Sequence, residues 1–197
     1  DADEKMIGIL LPQSIGGTLA NIAITFLNRI PINLNYTTSD EALDSAATQC
    51  EMRHVISAKA FLEQVPVTPP RDLIMVDDIM ASVQSKDRIQ AMLMALFLPR
   101  KTLLRILGGP EKRNIDDLAT VVFSSGSEGD PKGVMLTHYN ITKNIESALQ
   151  VFPHKKGDCV MGMLPFFHVF GYTATLWLPL VHGNFSAVYH PNPMEAR

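Results

Sequence analysis

Short apolar runs alternate with amphipathic stretches along most of this chain, a rhythm that predicts strands separated by helices. Residues 5–11 read as a buried strand, followed by a helix over 18–27 whose Leu19, Ile22, Ala23 and Phe26 share one face. Residues 31–36 are extended, Asp40–Gln49 is helical and His54–Ser57 is a short strand. Three prolines make 65–71 a loop before a strand at 73–76 and a helix over 87–97. Residues 118–123 form an apolar, β-branched strand. Thr137 then caps a helix in which Ile141, Ile145, Ala148, Leu149 and Phe152 recur at helical spacing. Strands at 160–164 and 185–189 flank a helix near 171–178. The implied class is α/β, a mostly parallel sheet with helices on both faces.

One strand opens into unusual chemistry. After Val121-Val-Phe come Ser124, Ser125, Gly126, Ser127, Glu128 and Gly129, then Asp130, Pro131, Lys132 and Gly133. Gly126 and Gly129 let backbone N–H groups approach an anion closely. The three serines add hydroxyl donors and Lys132 a compact positive charge. The reading is a triphosphate loop, expected beyond the carboxyl end of a strand in such a sheet. It is not the common P-loop, which places glycine directly before its lysine and Ser or Thr directly after it.

This string resembles the signature of the adenylate-forming superfamily of acyl-CoA synthetases, luciferases and peptide-synthetase adenylation domains. Leu164-Pro-Phe-Phe-His-Val-Phe-Gly171 resembles that family's next motif. The resemblance implies that His168 lies near a bound carboxylate and adenylate, with Phe166, Phe167 and Phe170 as apolar walls. Glu128, where most relatives have threonine, together with Leu11-Pro-Gln-Ser14, residues 29–36 and 188–193, is most similar to bacterial acyl-[acyl-carrier-protein] synthetases. Those usually form one half of a bifunctional 2-acylglycerophosphoethanolamine acyltransferase. The implied chemistry joins a fatty acid to ATP, with Mg2+, and passes the acyl group to acyl carrier protein. Ser124 through Gly129 would wrap the phosphates, Lys132 would offset charge on departing pyrophosphate, and Ser124 would reach the metal. A carboxylate facing a triphosphate repels it, so Glu128 either turns away to brace the loop or helps hold magnesium. The resemblance also implies a lysophospholipid partner through a linked acyltransferase domain.

The chain's 197 residues, 46% apolar, suit one substantial core rather than a full two-domain enzyme. It reads as a single piece, 1–197, of a large N-terminal adenylation domain, with a sub-boundary near 110–117 and the C-terminal lid missing. Asp1 is not an initiator methionine, and the family's later magnesium-binding glutamate, ribose-binding aspartate and catalytic lysine are not recognisable here. The piece alone is therefore expected to be inactive. A net charge of −3 argues against nucleic acid as the main partner. Cys50 and Cys159 lack metal or redox spacing, so the expected setting is the cytoplasm, with the whole protein associated with the inner membrane. No Asp, Glu, Lys or Arg occurs between Asp158 and Glu195, but Gly162, Pro165, His168, Gly171 and Pro179 break that run into pieces unsuited to spanning a bilayer. Residues 92–98, followed by Arg100, Lys101 and Arg105, suit either a core helix ending at Pro99 or a face touching lipid headgroups. Coenzyme A as acceptor, a nucleotide sensor and a partner-docking module are the alternatives to the carrier-protein ligase.

Overall fold

Four short strands organise the first part of the chain, and all but the last are largely buried. β1 (Met6–Ile9), β2 (Ile30–Asn33), β3 (His54–Ser57) and β4 (Asp72–Met75) pair in the order β2-β1-β3-β4, all parallel. The computed structural model describes residues 3–108, 114–124 and 130–190, so the expected boundary near 110–117 falls partly outside the described residues. Crossovers run through α1 (Ile15–Phe26), α2 (Asp40–Gln49) and α3 (Lys59–Leu62). Leu10, Ile32, Leu34, Leu43, Ala47 and Val55 meet under α2, while Ile7, Ile9, Ala20 and Ile24 meet under α1.

The face that α1 buries differs from the expected one. Gly17, Ala20, Asn21 and Ile24 turn inward, whereas Leu19, Ala23 and Phe26 are exposed and Ile22 is half-buried. Close approach decides the matter over apolarity. A methyl group on Gly17 would lie 2.7 Å from the Pro12 carbonyl oxygen, so larger residues do not fit there. Asn21 is buried without cost because its amide donates to Gly17 O (2.8 Å) and pairs reciprocally with Asn33 at the end of β2. Ser14 caps the helix by accepting from Gly17 N–H.

Past β4 the chain runs through α4 (Val76–Ser82), α5 (Ser85–Phe97) and α6 (Arg100–Ile106), none of which contributes a buried residue. The alternative of α5 as a core helix is thereby corrected. β5 (Leu118–Ser124) then pairs antiparallel with β6 (Lys132–Thr137), a strand absent from the sequence reading. A bulge at Ala119 resets the alternation of β5. Leu118, Val121 and Phe123 join the first core, and Ala119 joins a second with Ile141, Ile145, Phe166, Tyr172 and Leu176. Thr120 Oγ1 donates to Pro31 O at 2.7 Å, tying β5 to β2.

α7 (His138–Val151) begins where expected, with Thr137 accepting from Asn140 N–H and the Asn140 side chain accepting in return. β7 (Cys159–Gly162) pairs in parallel with β8 (Ser186–Tyr189). The expected helix between them is a π-helix, Gly171–Trp177, continuing into α8 (Leu178–His182). Among the described residues, four of the five strand pairings are parallel, which agrees with the α/β class. Among the described residues no helix is long and apolar enough to cross a membrane.

Glu4, almost wholly buried, ties the start of the chain to β3. Its carboxylate accepts from the N–H groups of Arg53 (2.7 Å) and His54 (2.9 Å) and lies 2.6 Å from His54 Nδ1. Burial pushes the carboxyl pKa up, but these bonds, led by His54, outweigh it and hold it below the ordinary carboxylate value. A depressed carboxylate stabilises above its unfolded pKa and loses that contribution as pH falls through the folded value. Glu4→Gln is therefore expected to lower stability by roughly 1–3 kcal/mol near neutral pH. The gap should close below the ordinary glutamate pKa of about 4.3. Urea midpoints across that range measure it, and a gap that does not change with pH would contradict the assignment.

Candidate functional site

The glycine-and-serine loop is closed by the β5–β6 hairpin, not by a strand entering a helix as in a P-loop. Ser124 faces Lys132 across the register, and Ser124 Oγ donates to Lys132 O at 3.4 Å. Both residues are exposed, and among the described residues Lys132 makes no ion pair. Ser125, Gly126, Ser127, Glu128 and Gly129 lie outside the described residues. Gly133 has a packing reason, since a methyl group there would come within 2.8 Å of Val121 and 3.1 Å of Phe123. Its absence lets the aromatic ring cover the strand beside Lys132.

α2 grips the returning arm of this loop. Gln49 Nε2 donates to Pro131 O at 2.9 Å and to Ser45 Oγ at 3.2 Å, while Ser45 Oγ donates to Asp130 Oδ1 at 3.4 Å. The Asp130 carboxylate is thus turned toward α2 instead of competing for Lys132. A small cavity of about 50 Å3, lined by Leu34, Asn35, Thr38, Phe123, Ser124 and Pro131 among others, lies at the base of the hairpin. An ammonium with no ion pair among the described residues and a hydroxyl, at the last described pair of the hairpin and with the neighbouring acid held aside, form an anion-accepting surface.

His168 sits in a separate turn, after β7. Its N–H donates to Pro165 O (3.1 Å), its carbonyl accepts from Tyr172 N–H (2.9 Å), and its Nδ1 accepts from Phe170 N–H at 3.2 Å. An occupied Nδ1 lone pair puts the proton of the neutral ring on Nε2, and the exposed side chain leaves that N–H available as a donor. The expected apolar walls divide. Phe166 is a core residue against Gly17 and edge-on to Tyr189, Phe167 packs edge-on against Tyr36 at 4.9 Å, and Phe170 is exposed. Phe166 is therefore corrected from pocket wall to core, because the close approach of α1 leaves room for its ring there. Beside the turn, a cavity of about 490 Å3 is lined by Met135, Asn140, Asn144, Val169, Phe170 and Thr173 among others.

The hairpin brings Ser124 and Lys132 together, whereas no hydrogen bond or ion pair among the described residues joins either of them to His168. The segment after β2 runs between the two regions. Asn35 and Thr38 border the small cavity under the hairpin, and Tyr36 meets Phe167 from the histidine turn. Ser45, Gln49 and Gln13 were not identified from sequence as site residues. The i,i+4 pair on α2 and the lone polar Gln13 after an apolar strand were the available signals, and neither is distinctive.

A family model described as AMP-binding enzyme matches residues 2–197. A long-chain-fatty-acid–CoA ligase of Bacillus subtilis is 47% identical over 62 residues, 30% of this chain and 11% of that protein. The chloroplastic long-chain-fatty-acid–[acyl-carrier-protein] ligase AEE15 of Arabidopsis thaliana is 42% identical over 55 residues, 28% of this chain and 8% of that protein. Among solved structures, the Bacillus subtilis O-succinylbenzoate coenzyme A synthetase in complex with ATP and magnesium ion superposes with a TM-score of 0.69 at 20% identity. That match covers 95% of this chain and 35% of the other, so the chain spans well under half the length of the synthetase whose fold it shares.

Gly171 ends the histidine turn under tight restriction, because an added methyl group would lie 2.2 Å from Pro165 O and 2.7 Å from Leu164 O. Backbone cannot yield as a side-chain tip can. Gly171→Ala is expected to destabilise the protein by about 3 kcal/mol or more. A thermal midpoint equal to that of the parent would show that the turn is not built as described.

Proposed function

The chain belongs to the AMP-binding enzyme family, and from that premise we propose that it is the nucleotide-gripping part of a ligase activating a fatty acid with ATP. The carrying observation is the hairpin that presents Lys132 and Ser124 at one tip while α2 holds Asp130 aside. In the reaction, a carboxylate oxygen bonds to the α-phosphorus of ATP as the α–β bridging bond breaks, giving acyl-AMP and pyrophosphate. Two anions must meet for this, and electrostatic preorganisation is the main help a protein can give. Lys132 neutralises the β- and γ-phosphates and the charge that grows on pyrophosphate, and Ser124 together with 125–129 donates to their oxygens. His168, donating through Nε2, orients the carboxylate or the adenylate. The cavity beside Val169 and Phe170, with Met135, Leu136 and Ile141 as its other apolar walls, takes the start of the acyl chain.

Among the described residues no group of three or more His, Cys, Asp or Glu could hold a metal. Mg2+ would be held through the triphosphate, which suits an ion that binds through phosphates and keeps its waters, with Ser124 as a protein contact. In a second step a phosphopantetheine thiolate attacks the acyl carbonyl and AMP leaves. We assign acyl carrier protein as acceptor on the similarity of the loop and the histidine segment to acyl-carrier-protein synthetases, with a linked acyltransferase consuming the product on a lysophospholipid. Relatives named for coenzyme A and for carrier protein both match this chain. Both cysteines are free thiols, Cys50 pushed up to about 11 by burial, in keeping with a cytoplasmic setting.

In the full-length protein, Lys132→Ala is expected to cut fatty-acid-dependent pyrophosphate exchange by about tenfold or more, the worth of one or two charged hydrogen bonds. Because Lys132 is exposed, the melting temperature should be unchanged. Parental exchange rates in this variant would remove the phosphate role. Residues 1–197 alone are expected to form no acyl-AMP, and adenylate released above background by that piece would show that the later motifs of the family are dispensable.

A further inference from the structure

α5 contributes nothing to the core, yet its composition is that of a helix with a buried face. Ile89, Met92, Leu93, Leu96 and Phe97 follow one another at helical spacing and are between 46% and 76% exposed. They form one apolar stripe. Basic residues bracket it: Lys86 and Arg88 in its first turn, then Arg100, Lys101 and Arg105 on α6. Between Ser82 and Gly108 the only acid is Asp87, whose carboxylate accepts from Gln84 N–H at the helix cap. The nearest upstream acids, Asp77 and Asp78, are engaged by Lys59. A chain of net charge −3 therefore carries a local surplus of four positive charges beside its most exposed apolar helix, five basic residues against one acid.

We propose that the stripe of α5, with the basic residues around it, docks on the surface of an anionic lipid bilayer. The charge selects this occupant. The exposed apolar residues of α1, by contrast, lie on a helix with no charged residue of its own, as suits a face covered by protein, although Arg100 of α6 lines the cavity beside it. At 13 residues α5 is too short to span a bilayer, so it lies in the interface plane with Leu96 and Phe97 inserted and the basic side chains among the headgroups. This surface would hold the protein beside the membrane without any spanning helix. The inference is independent of the ligase reading, since binding is read without turnover.

Flotation of the full-length protein with phosphatidylcholine vesicles, with and without phosphatidylglycerol, tests it. Binding is expected on the anionic vesicles, at least about tenfold weaker on neutral ones and weakened again by salt. Leu96→Gln with Phe97→Gln, and separately Arg88→Gln with Lys101→Gln, should each lower binding by about tenfold or more. Unchanged circular dichroism melts and unchanged adenylation in solution would accompany both, because none of the four side chains is buried. Equal binding to neutral vesicles, or binding retained by both double variants, overturns the proposal. So does a parent that binds no vesicles, or one that forms a dimer which Leu96→Gln with Phe97→Gln abolishes.

Discussion

A buried amide links the first sheet to the β7–β8 pair. Gln13, 1% exposed, follows β1 and donates through Nε2 to Met163 O (3.0 Å) and His190 O (3.2 Å), the carbonyls just past β7 and β8. Its Oε1 accepts from Tyr36 OH at 3.3 Å, and Tyr36 in turn meets Phe167. A buried amide must satisfy both ends, and it can do so only if β1, β2, β7 and β8 keep one arrangement. An apolar residue would fill the space without demanding it. The placement of the histidine turn relative to the first sheet therefore rests on hydrogen-bond geometry, with Phe166 against Gly17 as the packing that accompanies it.

The hairpin follows the same logic at its own scale. β5 is attached to β2 through Thr120 and to the first core through Val121 and Phe123, so its stem cannot swing. The returning arm is held from the other side by Gln49 and Ser45. A loop anchored at both ends, with its chemistry at the tip, is the arrangement that lets a short segment wrap an anion without remodelling its supports.

Much of this was legible in the residues, for physical reasons that can be named. Asp40–Gln49 and His54–Ser57 were read with their observed bounds because a Ser39 cap and a β-branched pair mark them sharply. The cap at Thr137 was equally clear. β6 was missed because Pro131, Lys132 and Gly133 read as loop, and the apolar run left before Thr137 is too short to signal a strand on its own. The buried face of α1 was misread because the helix is apolar nearly all round, so that the closest packing, at Gly17 and Asn21, chose the face. Phe166, Phe167 and Phe170 look alike in sequence, and only the approach of α1 and Tyr36 separates core ring from bridging ring from exposed ring. For the loop, the pattern of residue types carried the chemistry, while the grip of α2 on it could not be read from one sequence.

The same distinction between pattern and packing bears on the exposed apolar surface. α1 and α5 both show large apolar side chains to solvent, yet they differ in what surrounds them. α1 is free of charge along its length and faces a cavity of about 460 Å3 that α7 and α8 also line. The walls that α1 itself supplies, Ile22, Thr25 and Phe26, carry no charge and suit packing against more protein, while Arg100 of α6 lines the same cavity. α5 is bracketed by cations that make no ion pair at Lys86, Arg88, Arg100 or Lys101 among the described residues. Packing that helix into a protein core would strip water from some of those charges without repayment. A lipid interface avoids the conflict, since it takes the apolar stripe and leaves long basic side chains hydrated beside anions. Charge placement, more than hydrophobicity, separates the two helices.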